Sequence, residues 1–405
     1  MSESRLNLWE RPTLRTDEEH HIERKVSWLE LFYDLVFVVV IAQLAHDLAS
    51  HLNGSGLLAF VLLFIPAWWM WVSGTVYNER FETQDLSYRL LVFLQMLVVS
   101  ALAIFAHGAF GETSAGFALS YAAGRALVVF MWGRAGWYNP QARPVTNRYV
   151  LGFSTSILLW VASVFVPPPL RFILWAIGLV VDIATPILTI RQQRRLPRYS
   201  SSKLPERMGL FVLIVLGESV VSVVSGLSGD AHHLSVLLGV KLALGIGVTF
   251  GLWWVYFDFV SRRPPKPTPT ASIAWTHLHL LLLISLIVSS AVNLNILQNK
   301  HATDEGLHWW LSGAFALSLI SMGLLQLTLS CKPEEQRSFR NTATLKFAVA
   351  LITLVATALL PSSSVLTLYP LLLVGLLAVI VYGLWAMHSA GSLHDDLSFQ
   401  DDLKV

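Results

Sequence analysis

The sequence predicts an all-α, polytopic membrane protein of about twelve transmembrane helices, arranged as two parallel six-helix repeats with both termini in the cytoplasm. Three observations lead there. Of its 405 residues, 54% are hydrophobic and only 13% charged, where a soluble domain carries about 25% charged residues. Apolar runs of about 20 residues, the length that crosses a hydrocarbon core, recur from Ser27 to His388 between short polar loops. When the spans alternate across the bilayer, 23 of the 28 Lys and Arg residues fall on one side and 3 on the other. Such a bias marks the cytoplasmic face.

The spans lie near 28–49, 56–78, 88–108, 115–137, 148–166, 170–190, 206–227, 235–260, 271–297, 307–330, 341–360 and 365–388. The tail 1–27 is polar and lacks the apolar core and cleavage site of a signal peptide, so the first span is expected to act as an uncleaved insertion signal. The second span carries Trp68 and Trp69, deeper than an interfacial aromatic belt and more in keeping with core packing than with a cation-stacking platform. Pro167 to Pro169 join the fifth and sixth spans by a rigid, tight connection. The most basic loop, 191–205, links the first repeat (28–190) to the second (206–388), and 389–405 form a C-terminal tail. Trp28, Trp137, Trp275 and Trp385 are expected at cytoplasmic edges, and Trp309 and Trp310 at an outer edge.

The repeat rests on echoes. Trp68 and Trp69 are matched by Trp253 and Trp254 in the second span of each half. Glu30 opens span one and Glu206 opens span seven. The fifth span of each half runs from a polar residue, Arg148 or Asn341, to a proline, Pro167 or Pro361. Six spans per half is an even number, so both halves insert the same way up, related by an axis along the membrane normal.

Ionisable residues inside the spans are the functional candidates, because a charge at the bilayer centre costs about 2.5–3.5 kcal/mol on insertion scales. Glu30 and Asp34 lie 40° apart on one helical face at 100° per residue, while Gln43, His46 and Asp47 cluster near the opposite face toward the outer end. A helix with two such patches is expected to be surrounded by other helices. Glu218 lies close to mid-membrane, with Ser222 and Ser225 continuing a polar stripe along its face. The available partners are Arg125, Asp182, Asp258, His277, His279, Lys346, and His107 with Glu112. Arg125 with Asp182 or Glu218 reads either as a structural ion pair or as part of a transport path. Glu30, Asp258, His277 and His279 read as interfacial or structural, and Ser222 and Ser225 read equally as small residues permitting close helix approach.

Several chemistries find no support. The single cysteine, Cys331, excludes a disulfide framework, and no phosphate-binding loop, dinucleotide fingerprint or zinc-protease signature is present. His277 and His279 point about 200° apart on a helix and would not chelate one metal together. A net charge of +2 implies no attraction to nucleic acid. No metal, cofactor or catalytic motif is expected. The expected partners are the lipid bilayer and a small ion or solute, with homo-oligomerisation left open.

"ELFYDLVFVVVIAQLAHDL" and "ERMGLFVLIVLGES" resemble the bacterial low temperature requirement A family. That family has Glu-Leu-Phe, an aromatic and Asp-Leu-Val-Phe in its first helix, matched here by Glu30, Leu31, Phe32, Asp34, Leu35, Val36 and Phe37. Its later pattern is matched by Glu206, Arg207, Gly209, Leu210, Phe211, Leu216, Gly217 and Glu218. Trp68, Trp69, Leu252 to Asp258 and His277 also look like the family. The histidines often found before its second motif are missing from "YSSSKLPER". The resemblance implies a multi-pass protein of the bacterial cytoplasmic membrane and names no reaction. The first-helix stretch "FYDLVFVVVIAQL" is also similar to the Phe-Ser-Asp helix of potassium channels built from six-helix repeats, with Tyr33 in place of serine.

The leading expectation is a transporter or channel whose site lies between the repeats. Glu218, Asp34, Glu30, Ser222, Arg125 and Asp182 would line it, and Glu206, Arg207, Asp258 and His277 would form its cytoplasmic mouth. A non-transporting scaffold or sensor is the alternative, favoured if the acids are locked in closed ion pairs. An intramembrane lipid-modifying enzyme would need Asp34, Asp258 and His277 to converge.

Overall fold

The computed structural model describes residues 8–15, 26–83, 85–197, 203–228, 236–298, 306–359 and 365–389. The rest of the N-terminal tail, Arg198, Lys300, Pro361, the tail after Ser389 and the side chain of Ser225 lie outside the described residues. Twelve long helices occupy the twelve apolar runs among the described residues. They are α1 (Trp28–Ser50), α2 (Gly54–Arg80), α3 (Leu86–Ala106), α4 (Ser114–Tyr138), α5 (Arg143–Ser163) and α6 (Leu170–Leu188), then α8 (Lys203–Ser228), α9 (Val236–Tyr256), α10 (Pro269–Gln298), α11 (Leu307–Thr328), α12 (Gln336–Leu359) and α13 (Leu368–Ser389). A short α7 (Ile190–Gln193) follows α6. Among the described residues, ten helices are long and apolar enough to cross a membrane.

Helix starts follow local chemistry. Ser27 caps α1 by accepting from the Glu30 amide, and the Glu30 carboxylate accepts from the Ser27 amide at 3.0 Å. This reciprocal box satisfies two otherwise orphaned donors. Asn53 caps α2 through Gly56 N, and Asp85 caps α3 through Tyr88 N. Helix α5 begins five residues before its expected start, with a proline in its first turn, where the missing N–H costs nothing. Helix α8 likewise begins at Lys203, inside the stretch read as a linker. Pro205 is tolerated in its first turn. A π-helical turn, Phe257–Ser261, extends α9.

The N-terminal tail departs most from expectation. Residues 8–15 are docked. Strand β1 (Thr13–Leu14) pairs antiparallel with β2 (Phe81–Glu82), the stretch that follows α2. Arg15 reaches Glu79 at 2.7 Å, Asn139 bonds both the Pro12 carbonyl and the Leu14 amide, and the Arg134 guanidinium lies 3.8 Å from the Trp9 ring. A polar segment beside helix ends full of unspent donors and acceptors finds partners there.

The chain divides into two compact units, residues 1–211 and 212–405. In the first, α4 packs against α2, α3 and α5, and α1 packs on α2 and α3. Phe117, Tyr121, Arg125, Val128 and Trp132 recur at spacings of four and three and are all buried, so one face of α4 lies in the core. Helix α5 meets α6 closely: a Cβ at Gly178 would lie 2.8 Å from the Trp160 ring, so glycine permits the approach. In the second unit α11 packs on α10, α12 and α13, and α13 packs on α9.

Candidate functional site

Two charged clusters are buried in the first unit. The first assembles on α1, α2 and the start of α8. Arg207 donates through Nη2 to Asp34 Oδ1 and through Nε to Oδ2 at 3.2 Å, a fork matched to a carboxylate. Trp71 Nε1 donates to Asp34 Oδ1 at 2.7 Å. Glu30, one turn earlier, meets Lys203 at 2.9 Å and Arg207 at 3.8 Å. Two acids on one helical face, which would repel in isolation, here share the cationic side of α8. Trp71, Trp68, Phe37 and Phe211 surround the pair, with Phe211 4.3 Å from Trp71 and 5.5 Å from Trp68. Asp34 and Arg207 are 1% and 0% exposed.

The second cluster centres on Asp182 of α6. Its carboxylate accepts from Tyr121 Oη at 2.6 Å, Ser156 Oγ at 2.8 Å and Arg125 Nη2 at 2.9 Å. Arg125 also donates to Ser73 Oγ at 2.6 Å and lies over the Phe153 ring at 4.1 Å. Arg125 and Asp182 are wholly inaccessible to solvent. Helix α2 serves both clusters, through Trp71 and, two residues on, Ser73.

The second unit is different. Glu218 is buried and, among the described residues, accepts from Ser222 Oγ at 3.0 Å, one turn along the same helix. His279 is buried between Tyr256 Oη, 3.0 Å from its Nε2, and the Trp275 carbonyl, 2.8 Å from its Nδ1. The carbonyl can only accept, so Nδ1 carries a proton; in the neutral ring Nε2 accepts from the phenol. Tyr369 Oη donates to Asn293 Oδ1 at 2.6 Å. Lys346 donates to Gln326 Oε1 at 2.6 Å and lies 5.4 Å from the Phe259 ring.

Of the residues singled out by sequence, Arg125 and Asp182 come together as an ion pair, and Glu30, Asp34 and Arg207 come together as another. Glu30 is buried, in its capping box with Ser27 and its pair with Lys203, which is the structural reading of that residue. Arg207 is enclosed, its guanidinium held by Asp34 of α1. Glu206, its neighbour, is exposed. Asp258 pairs with Arg262 at 2.9 Å, and His277 Nδ1 bonds the Ile273 carbonyl of its own helix at 2.7 Å, so these two are engaged locally. Asp47 meets His107 at 3.1 Å and accepts from Gln43. Trp275 is buried against His279, ring centroids 4.3 Å apart. Trp28, Trp137 and Trp385 are exposed. Trp68 and Trp69 are buried while Trp253 and Trp254 are half-buried, so the paired tryptophans share a pattern without sharing an environment.

Sequence reasoning missed Trp71, Lys203, Tyr121, Ser156 and Tyr256 as partners. One signal was available: Trp71 lies three residues after Trp68, on the same helical face. The Ser27-x-x-Glu30 box was also readable. The others are joined only by tertiary packing.

These features define a polytopic, predominantly helical membrane protein with buried, paired charged groups inside its helix packing. The sequence model of the "Bacterial low temperature requirement A protein (LtrA)" matches residues 25–385. The chain therefore belongs to the low temperature requirement A family. It is also similar to a protein of Rhizobium meliloti (strain 1021) described as "Uncharacterized protein RA0937", with 29% identity over 296 residues, covering 67% of this chain and 70% of the relative.

Proposed function

We propose that this family member is a transporter or channel of the bacterial cytoplasmic membrane, moving a cation or small solute past Glu218 on α8. The observation that carries this reading is the contrast among the buried acids. Glu30, Asp34 and Asp182 are held by Arg or Lys, whereas among the described residues Glu218 is met by the Ser222 hydroxyl. A buried carboxyl group with no fixed cation among the described residues suits a proton or an exchangeable cation. The paired acids hold helices together, and Glu218 does the exchange.

Twelve spans with cytoplasmic termini form part of the proposal. The distribution of Lys and Arg supports it, as do twelve long helices at the twelve apolar runs. For the repeat, the support is a shared packing order: α3 on α4, α4 on α5 and α5 on α6 in the first unit, then α10 on α11, α11 on α12 and α12 on α13 in the second. The halves differ in that α2 packs on α4, whereas α9 packs on α13.

The test is flux through purified protein in liposomes, screened for protons, potassium and amino acids. Wild type is expected to conduct above empty liposomes, and Glu218→Gln to reduce that flux at least tenfold while keeping its elution profile and melting temperature. Undiminished flux in the variant removes Glu218 from the mechanism. A second reading, a non-transporting scaffold or sensor, is favoured by the closure of the Asp34–Arg207 and Asp182–Arg125 pairs. It predicts no wild-type flux for any solute in the screen.

A further inference from the structure

We infer that the first unit carries a binding site for a small organic ammonium ion, with Asp47 as its acid, in the cavity where the end of α1, the start of α2 and the α3–α4 connection meet. The cavity measures about 230 Å³. Sites for drug-sized ligands run to roughly 300–1,000 Å³, so this one suits a smaller guest. Leu44, Leu63, Phe60 and Phe110 give it apolar walls, and Asp47, His51 and His107 are its titratable lining.

The acid is oriented without being used up. Gln43 Nε2 and His107 Nδ1 each lie 3.1 Å from Asp47 Oδ1. An ionised carboxylate only accepts, so both nitrogens donate to that oxygen. Oδ2 has no partner among the described residues, and the side chain keeps 30% of its surface exposed. His51 is engaged elsewhere, its Nδ1 lying 2.9 Å from Ser50 Oγ and 3.1 Å from the Asp47 carbonyl. The turn after His107 passes through Gly108 at φ 74°, a conformation that glycine adopts without strain.

Charge then chooses the guest. The segments 26–79 and 90–124 supply the whole lining and contain no Lys or Arg. With the histidines uncharged, the lining carries one charge, the carboxylate. Outside the lining, Glu112 follows Gly111 in the chain, and Arg171 meets Ser114 and the Ser163 and Val166 carbonyls. One acid and one base there leave the local sum unchanged. A partly buried carboxylate is screened less than an exposed one, so a cation is favoured over a neutral or anionic guest. An ammonium donates an N–H to Oδ2 while its organic body covers the leucines. The rings suit the same guest, because a cation is drawn to an aromatic face. Phe60 is stacked on Phe64 at 5.5 Å and Phe110 lies against Phe172 at 5.2 Å, so both rings are held. A guest bearing its own phosphate would bring a second anion to Asp47, which favours a free amine over a lipid headgroup.

The test uses the full chain in detergent at about pH 8, where an ordinary imidazole is uncharged. Phenethylammonium is titrated by calorimetry against phenethyl alcohol, which has its shape without its charge. Saturable binding of the ammonium is expected, with the alcohol at least tenfold weaker. Asp47→Asn keeps the side-chain shape and is expected to weaken the ammonium at least tenfold. Ala59 is a half-buried lining residue of α2. Ala59→Leu fills the cavity with another strong helix former and is expected to weaken binding similarly. Unchanged elution profiles check that both variants fold, and the alcohol comparison needs no variant. Full affinity in either folded variant, equal binding of ammonium and alcohol, or no binding of the ammonium overturns the site.

Discussion

At the scale of single residues, burial decides what a charge is for. Asp182 has three donors and Arg125 has two acceptors, all inside the helix packing. Desolvating such a pair costs several kcal/mol per ion, and the hydrogen bonds return it only while both partners stay. Replacing Asp182 with Asn leaves the Arg125 guanidinium buried without its counter-charge. The expected loss is about 3–5 kcal/mol of stability, measured by unfolding in detergent. A change below about 1 kcal/mol would mean that the pair is not closed in solution. Asp34 is committed in the same way, because Arg207 and Trp71 converge on one carboxylate. Glu218 is the exception, and for that reason it carries the functional proposal.

At the scale of elements, the N-terminal segment 8–15 is held by helix ends rather than by a core. Asp85 is central to that attachment. Burial alone would raise its carboxyl, but hydrogen bonds from Ser87 and from the amides of Glu10 and Tyr88, with the charge of Arg134, hold it below the usual carboxylate range. A lowered value in the folded state means that docking favours the ionised form. The contribution is complete above the unfolded value of about 3.9 and fades as pH falls through the folded one. Trp9, lying against Arg134, reports on it. The difference in fluorescence between wild type and Trp9→Phe should stay constant above about pH 5 and change below about pH 4. In Asp85→Asn that acid transition should disappear; its persistence would place the titrating group elsewhere.

At the scale of the whole molecule, the charge asymmetry makes a topological prediction. Reporter fusions after the C-terminal residue and within the loop after α6 should both be active in the cytoplasm, while a fusion in the loop after α11, one connection later than an outer loop, should agree with them. An external signal from any of these sites would break the alternation on which the twelve-span reading depends.

The helices themselves were legible in the sequence, because a bilayer admits few alternatives. Apolar runs of the required length, stripped of backbone partners by lipid, must satisfy their own hydrogen bonds as helices. Composition and spacing carry that information locally, as do the motifs at Glu30 to Phe37 and Glu206 to Glu218 that mark the family. Which acid meets which base was not legible. Asp34 and Arg207 are 173 positions apart, and Asp182 and Arg125 are 57 apart. A helical wheel gives each side chain a direction but no neighbour. The docking of residues 8–15 was hidden for the same reason, since a polar segment is indistinguishable from a free tail until helix ends gather to receive it. The sequence by itself determined the class of protein and the position of its helices, through solvent exclusion acting on each segment alone. Only the tertiary structure decided which charges are locked and which remain available, because pairing depends on distances between helices that no single segment encodes.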